Sequence, residues 1–263
     1  MTSEFETTLL SRIEDAGINA SAPREQLWID GWLVRFSPGK AKRARCIQAV
    51  ASGRMSVEEK LERCMALYAK VGLRPYVRVT PFSQPEGLDA RLAALGLERI
   101  DDTRVMVAAL ESDSAAIAAQ RDVPGVRLES CDSDSFAEWV GAQRGSSTAE
   151  RRAHAERLRA SPVDYRASLL IDSSGKPVAG GQVAIEADLV GLYDVFTAMS
   201  ARGRGLARSV CAQMLGSVVT EGVRTAQSCP RPSHDRSGPA GQQRRNKPAH
   251  RKDSPKRSDS GGI

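Results

Sequence analysis

Read for periodicity, the chain moves between two-residue and 3.6-residue spacing of its apolar positions, the mark of alternating strands and helices. In the first half, Leu27 to Phe36 (LWIDGWLVRF) predicts a strand. Val57, Leu61, Cys64, Met65, Tyr68 and Val71 recur at helical spacing, which predicts a helix over Ser56 to Val71 that stops at Gly72. Pro75 to Thr80 then alternates as a strand, Leu88 to Leu95 reads as a helix, and Arg104 to Leu110 as a further strand. Glu111 to Gly125 (ESDSAAIAAQRDVPG) is small, polar and closed by Pro-Gly, the composition of a linker between domains.

The second half opens with a strand at Val126 to Leu128 and two helices, Asp134 to Ala142 and Thr148 to Ala160. Tyr165 to Ile171, Val178 to Glu186 and Leu189 to Thr197 follow as an antiparallel meander, divided by Ser173-Ser174-Gly175 and Ala187-Asp188. Leu206, Val210, Met214, Leu215, Val218 and Val219 share one helical face after a glycine-rich turn, and the helix ends at Gly222. A last strand begins at Val223 and stops near Gln227. The expected organisation is a first domain over 1–110, a linker over 111–125, a second domain over 126–227 and a tail over 228–263.

Charge separates that tail from the rest. From Cys229 to Ile263 there are nine basic and three acidic residues, which leaves 29 of each sign in the body of the 263-residue chain. The overall +6 and the pI near 9.2 belong to the tail, so a basic, nucleic-acid-binding body is excluded. Ser228 to Gly262 holds no Leu, Ile, Val, Met, Phe, Tyr or Trp and cannot offset its ordering entropy, so the tail is expected to be disordered. As a polybasic arm it implies at most weak, salt-sensitive nucleic-acid binding, which deletion of Pro230 to Ile263 would remove. A shift of reading frame past Gln227 would account for so abrupt a break, and translating the other frames there tests it.

The longest uncharged stretch, Ser209 to Thr220, falls short of the roughly 20 apolar residues of a membrane helix. The acidic start MTSEFETTLLSRIEDAG is unlike a signal peptide, so the expected location is the cytoplasm. Five cysteines with no C-x-x-C pair predict free thiols and neither a disulfide framework nor a zinc site. His154 stands among Arg and Glu and reads as part of a solvated helix face, and Trp28, Trp32 and Trp139 read as packing residues.

Chemistry concentrates at Arg202 to Ala207, R-G-R-G-L-A, between a strand and a helix. A helix N-terminus presents unpaired N–H groups and a positive dipole end, glycines at Gly203 and Gly205 let the backbone close on an anion, and Arg202 and Arg204 add charge. A dinucleotide fingerprint is disfavoured because Arg208 takes its third glycine position, and no Gly-Lys-Ser/Thr triplet exists for a P-loop. What remains is a resemblance: Arg202, Gly205 and Ala207 match [QR]-x-x-G-x-[GA], the pattern of the coenzyme A loop in the GNAT acetyltransferase superfamily.

With this loop and this element order, the second half resembles the GNAT acetyltransferase superfamily. The first half resembles the degenerate N-terminal half of bacterial tandem GNAT proteins through Asp30-Gly31-Trp32-Leu33-Val34-Arg35-Phe36, Arg78-Val79-Thr80-Pro81 and Leu95-Gly96-Leu97. The resemblance implies an α/β fold of two tandem GNAT-like domains, each a mixed, mostly antiparallel sheet flanked by helices, the second cut short after Gln227. It implies acetyl-CoA as cosubstrate with no metal, held by Val195, Phe196, Thr197, Arg202, Gly203, Arg204, Gly205, Leu206 and Ala207. The activity it implies is transfer of the acetyl group to a primary amine of a small molecule or peptide. For the base that activates the amine, Glu186 and Asp194 are the candidates. The family often supplies a tyrosine after the fifth strand to protonate the thiolate, but Tyr193 is the last tyrosine here. A non-catalytic acyl-CoA-binding protein is the alternative.

Overall fold

Capping chemistry sets several helices where the periodicity expects them. Ser56 and Glu59 form a reciprocal box at the start of one helix, with Ser56 Oγ accepting from the Glu59 N–H at 3.2 Å and Glu59 Oε2 from the Ser56 N–H at 2.9 Å. Ser147 and Glu150 repeat the box at another, and Asp132 caps a third by accepting from the Ser135 N–H at 2.8 Å. A computed structural model describes residues 4–39, 41–110, 123–228 and 240–246. Its helices are α1 (Glu4–Asn19), α2 (Val57–Lys70), α3 (Leu88–Ala94), α4 (Ser133–Gln143), α5 (Thr148–Ala160) and α6 (Leu206–Val219).

Twelve strands form two six-stranded sheets among the described residues. The first sheet runs β1 (Glu25–Ile29), β2 (Trp32–Phe36), β3 (Ile47–Ala49), β4 (Val77–Val79), β12 (Ala240–Asn246) and β5 (Leu97–Arg104). The second runs β6 (Met106–Ala109), β11 (Thr225–Ser228), β10 (Leu189–Thr197), β9 (Pro177–Glu186), β8 (Asp164–Asp172) and β7 (Val126–Cys131). The first core gathers Trp32, Ile47, Leu61, Tyr68, Val77 and Leu92 between sheet, α2 and α3. In the second half α6 packs on one face of the sheet through Val210, Met214 and Val218, while Phe136 and Val140 of α4 meet Leu169 and Ile171 on the other.

Two expectations are corrected. Leu27 to Phe36 is a hairpin rather than one strand: Asp30 (φ +43°) and Gly31 (φ +87°) make the two-residue turn whose left-handed conformations this Asp-Gly pair tolerates. The strand over 104–110 does not stay with the first half. Met106 to Ala109 pairs antiparallel with Thr225 to Ser228, so the first half supplies the strand beyond β11, and that side of β11 is covered rather than left open to another chain. Within the expected tail, Ala240 to Asn246 is a strand, antiparallel to both β4 and β5, whose backbone groups find partners there. The rest of the expected tail past Ser228, like 111–122 of the expected linker, lies outside the described residues. A chain shortened after Ser228 is expected to lose amide protection at Val77 to Val79 and Leu97 to Arg104, read by hydrogen–deuterium exchange; unchanged protection would remove β12 from the sheet.

α1, which the periodicity did not single out, ties the halves together. Arg35, 2% exposed, donates to the Ile18 carbonyl at the end of α1 at 2.8 Å, and Arg78 is paired with Glu14. From the same helix Ile13 and Ala16 pack on Leu189 of β10, Arg12 pairs with Asp188, and Asn19 donates to Glu186. Cys46, Cys64, Cys131 and Cys211 are free thiols.

Candidate functional site

The two edges of β10 are occupied differently. Toward β11 it pairs in parallel only from Leu189 to Leu192, and no described strand pairs with that edge from Tyr193 to Thr197. Toward β9 the antiparallel ladder continues to Thr197 but slips between Tyr193 and Phe196, leaving two residues of β10 opposite one of β9. Asp194 lies in this bulge at φ +52°, a conformation a non-glycine residue holds only against a cost.

Past the open edge the chain makes a 3₁₀ turn, Met199–Ala201, and enters α6 through Arg202, Gly203, Arg204 and Gly205. Gly205 is the N-cap at φ +77° and offers no side-chain acceptor, so the first amides of α6 carry no side-chain cap. Gly203 and Arg204 are exposed with Gly205, whereas Leu206 is buried and Ala207 exposed. The Arg202 side chain folds back, its guanidinium 5.6 Å from the centre of the Phe196 ring and its Nε 3.4 Å from the Thr197 carbonyl. Gly181 lets α6 sit close: a Cβ there would meet Met214 Cε at 2.9 Å and Val195 Cγ2 at 3.1 Å. The loop and the open stretch Val195 to Thr197, both of which the resemblance implies, adjoin.

The two base candidates are far apart in environment. Glu186 accepts from Asn19 at 3.0 Å and lines a separate cavity with Pro23, Arg24 and Val163. Asp194 faces a cleft between the halves, of about 610 Å³, that also takes in Tyr165, Gln182, Tyr193, Val195 and Lys42. Arg144 is ion-paired with Asp194 Oδ1, Gln182 Nε2 donates to Oδ2 at 2.7 Å, and His154 Nε2 lies 3.3 Å from Oδ2. Burial opposes ionisation of Asp194, but the His154 contact and the Arg144 charge outweigh it and hold the carboxyl far below the usual carboxylate range. This carboxylate is a fixed anion rather than a group poised to take up protons.

His154 is the residue that sequence reading misplaced. Its side chain is 18% exposed and turned toward Asp194, not solvated among the charges of its own helix. Its i−3 and i+3 neighbours Arg151 and Arg157 share its face, a signal visible only once that face is known to turn inward. Arg144 was also missed, because it stands just past the end of α4, where nothing local announces a partner fifty residues on.

The remaining groups narrow the chemistry. Burial pushes the Cys211 thiol up to about 11, which leaves it protonated and a poor nucleophile. Burial also raises the Tyr165 phenol, which donates to the Ala20 carbonyl. Among the described residues no three His, Cys, Asp or Glu side chains are grouped to hold a metal ion, and no helix is long and apolar enough to cross a membrane.

A family model described as "Probable histone acetyltransferase Rv0428c C-terminal" matches residues 7–229, ending where the apolar pattern breaks off past Gln227. Among solved structures, a GCN5-related N-acetyltransferase from Kribbella flavida aligns with TM-score 0.65 and 18% identity, covering 92% of this chain and 96% of that one. A functionally unknown conserved protein from Staphylococcus epidermidis aligns with TM-score 0.55 and 8% identity over 84% and 92%. A GCN5-related N-acetyltransferase from Sphaerobacter thermophilus gives 0.52 and 15% over 72% and 65%. Among curated proteins, none matches the chain by sequence.

Proposed function

We propose that the chain, which belongs to the family described as "Probable histone acetyltransferase Rv0428c C-terminal" and has a GNAT-like fold, transfers the acetyl group of acetyl-CoA to a primary amine. The observation that carries this reading is the edge of β10 left open past Leu192, directly before the Arg202–Ala207 loop. Backbone groups of Val195, Phe196 and Thr197 would pair with the pantetheine arm as an added strand. An amide on this edge would polarise the thioester carbonyl, and the pyrophosphate would lie on the N-terminal amides of α6, between Arg202 and Arg204. Gly203 and Gly205 keep side chains off that approach, and Leu206 anchors the helix in the core.

The acceptor is a small-molecule or peptide amine entering by the cleft between the halves. Direct attack on the thioester suits the site, since the neutral Cys211 is a poor candidate for an acyl carrier. The first domain, 1–110, would serve as scaffold: it has no counterpart of the loop, and through the turn that follows α1 it walls the cleft at Ala20 and Ser21. Calorimetry of the purified chain with acetyl-CoA tests the proposal. Micromolar binding is expected, and absence of heat at millimolar acetyl-CoA would overturn it. The absence of any tyrosine after Tyr193 favours a second reading, an acyl-CoA-binding protein without turnover. Binding without release of coenzyme A in the presence of primary amines would select that reading.

A further inference from the structure

Direct transfer needs a partner for one proton. As the amine nitrogen bonds to the thioester carbon, an N–H bond and the C–S bond break, and the thiolate takes up a proton from water. The fixed Asp194 carboxylate is badly suited to receive the amine proton, and Glu186 lines a different cavity.

Resting on the function proposed above, we infer that His154 accepts this proton through Nδ1, with Asp194 as its positioning residue. A cavity of about 290 Å³ is lined by His154 and shares Arg144, Arg157 and Asp194 with the larger cleft that reaches Val195. His154 Nε2 is buried and faces Asp194 Oδ2 at 3.3 Å, which leaves Nδ1 as the ring nitrogen not turned to this carboxylate. An ionised carboxylate only accepts hydrogen bonds, and so favours the tautomer with the hydrogen on Nε2 and the lone pair on Nδ1. Asp194 is itself immobilised, because Arg144 holds Oδ1 and Gln182 holds Oδ2. The bulge at φ +52° that brings Asp194 to the ring also lies next to Val195, where the open edge begins its run to Thr197. The imidazolium then releases its proton to water in the cavity that His154 lines, which restores the neutral ring.

Arg144, Glu150, Arg151, Arg157 and Asp194 line the same cavity, so a pH profile alone would not assign the base. The test compares the native chain with His154→Gln and Asp194→Asn in acetyl-CoA calorimetry and in coenzyme A release. The acceptor amines are spermidine, kanamycin, glycine and a short peptide. His154→Gln is expected to bind acetyl-CoA as the native chain does and to lower kcat about 100-fold or more with little change in KM. A His154→Gln variant with native kcat overturns the inference while leaving the proposed function intact. Failure of the native chain to bind acetyl-CoA overturns both. Imidazole ¹⁵N spectra supply a readout without turnover: the signal absent from His154→Gln is expected to report hydrogen on Nε2, and to shift in Asp194→Asn. A signal reporting hydrogen on Nδ1 would also overturn the inference.

Discussion

The double variant Arg202→Ala, Gly205→Glu is expected to bind acetyl-CoA at least about 100-fold more weakly than the native chain, close to 3 kcal/mol at 1.4 kcal/mol per decade. Two physical losses combine. Arg202 would supply a charge-assisted contact to the pyrophosphate, worth about 1.5–3 kcal/mol. At Gly205 the backbone is left-handed at φ +77°, which costs a side-chain-bearing residue roughly 1–2 kcal/mol, and a carboxylate there would meet the phosphates it replaces at the positive end of α6. A Cβ at Gly205 meets nothing within 4 Å, so the variant is expected to stay folded, and Gly205→Ala serves as the control for backbone strain without the charge. Calorimetry reads the affinity and circular dichroism the fold. Native affinity in a folded double variant would place the coenzyme elsewhere.

The second large effect belongs to Asp194. Asp194→Ala leaves the Arg144 guanidinium without its ion pair in a site where both side chains are less than a quarter exposed, and strips the Gln182 amide of its acceptor. The expected loss is about 3 kcal/mol, a fall in Tm of roughly 6–12 °C for a chain of this size. Asp194→Gly loses the same contacts but tolerates the left-handed backbone at φ +52°, so it is expected to retain about 1 kcal/mol more than Ala. The sign of the pH dependence follows from the lowered carboxyl. A group less basic in the folded chain than in the unfolded one stabilises at pH above its unfolded value. That stability is lost as pH falls below about 4, toward the folded value. Denaturant melts between pH 6 and pH 3 are expected to be steeper in pH for the native chain than for Asp194→Asn. Equal slopes would mean that Asp194 titrates alike in both states.

Local signals were sufficient where structure is local. Ser56 with Glu59, and Ser147 with Glu150, each place a helix start, and the alternation of Val178 to Glu186 and Leu189 to Thr197 predicts the central strands of the second sheet within a residue. The loop at Arg202 to Ala207 was legible for the same reason, since two glycines and two arginines before an apolar helical face describe an anion-binding turn by themselves. The hairpin at Asp30-Gly31 was equally local and was passed over because apolar residues on both sides of the turn read as one run.

What the sequence by itself determined is most of the elements of the second half and their order, the chemistry of the loop and the point past Gln227 where the apolar pattern ends. Only the tertiary structure decided that Met106 to Ala109 crosses into the second sheet, that Ala240 to Asn246 enters the first, and that α1 joins the halves through Arg35, Arg78 and Leu189. It also decided that His154, Arg144 and Gln182 meet at one half-buried carboxylate, that of Asp194. The reason is range: caps, turns and periodicity act over a few neighbouring residues, whereas the pairing of a strand edge or of a buried charge is settled by whatever distant segment offers a complementary backbone or charge.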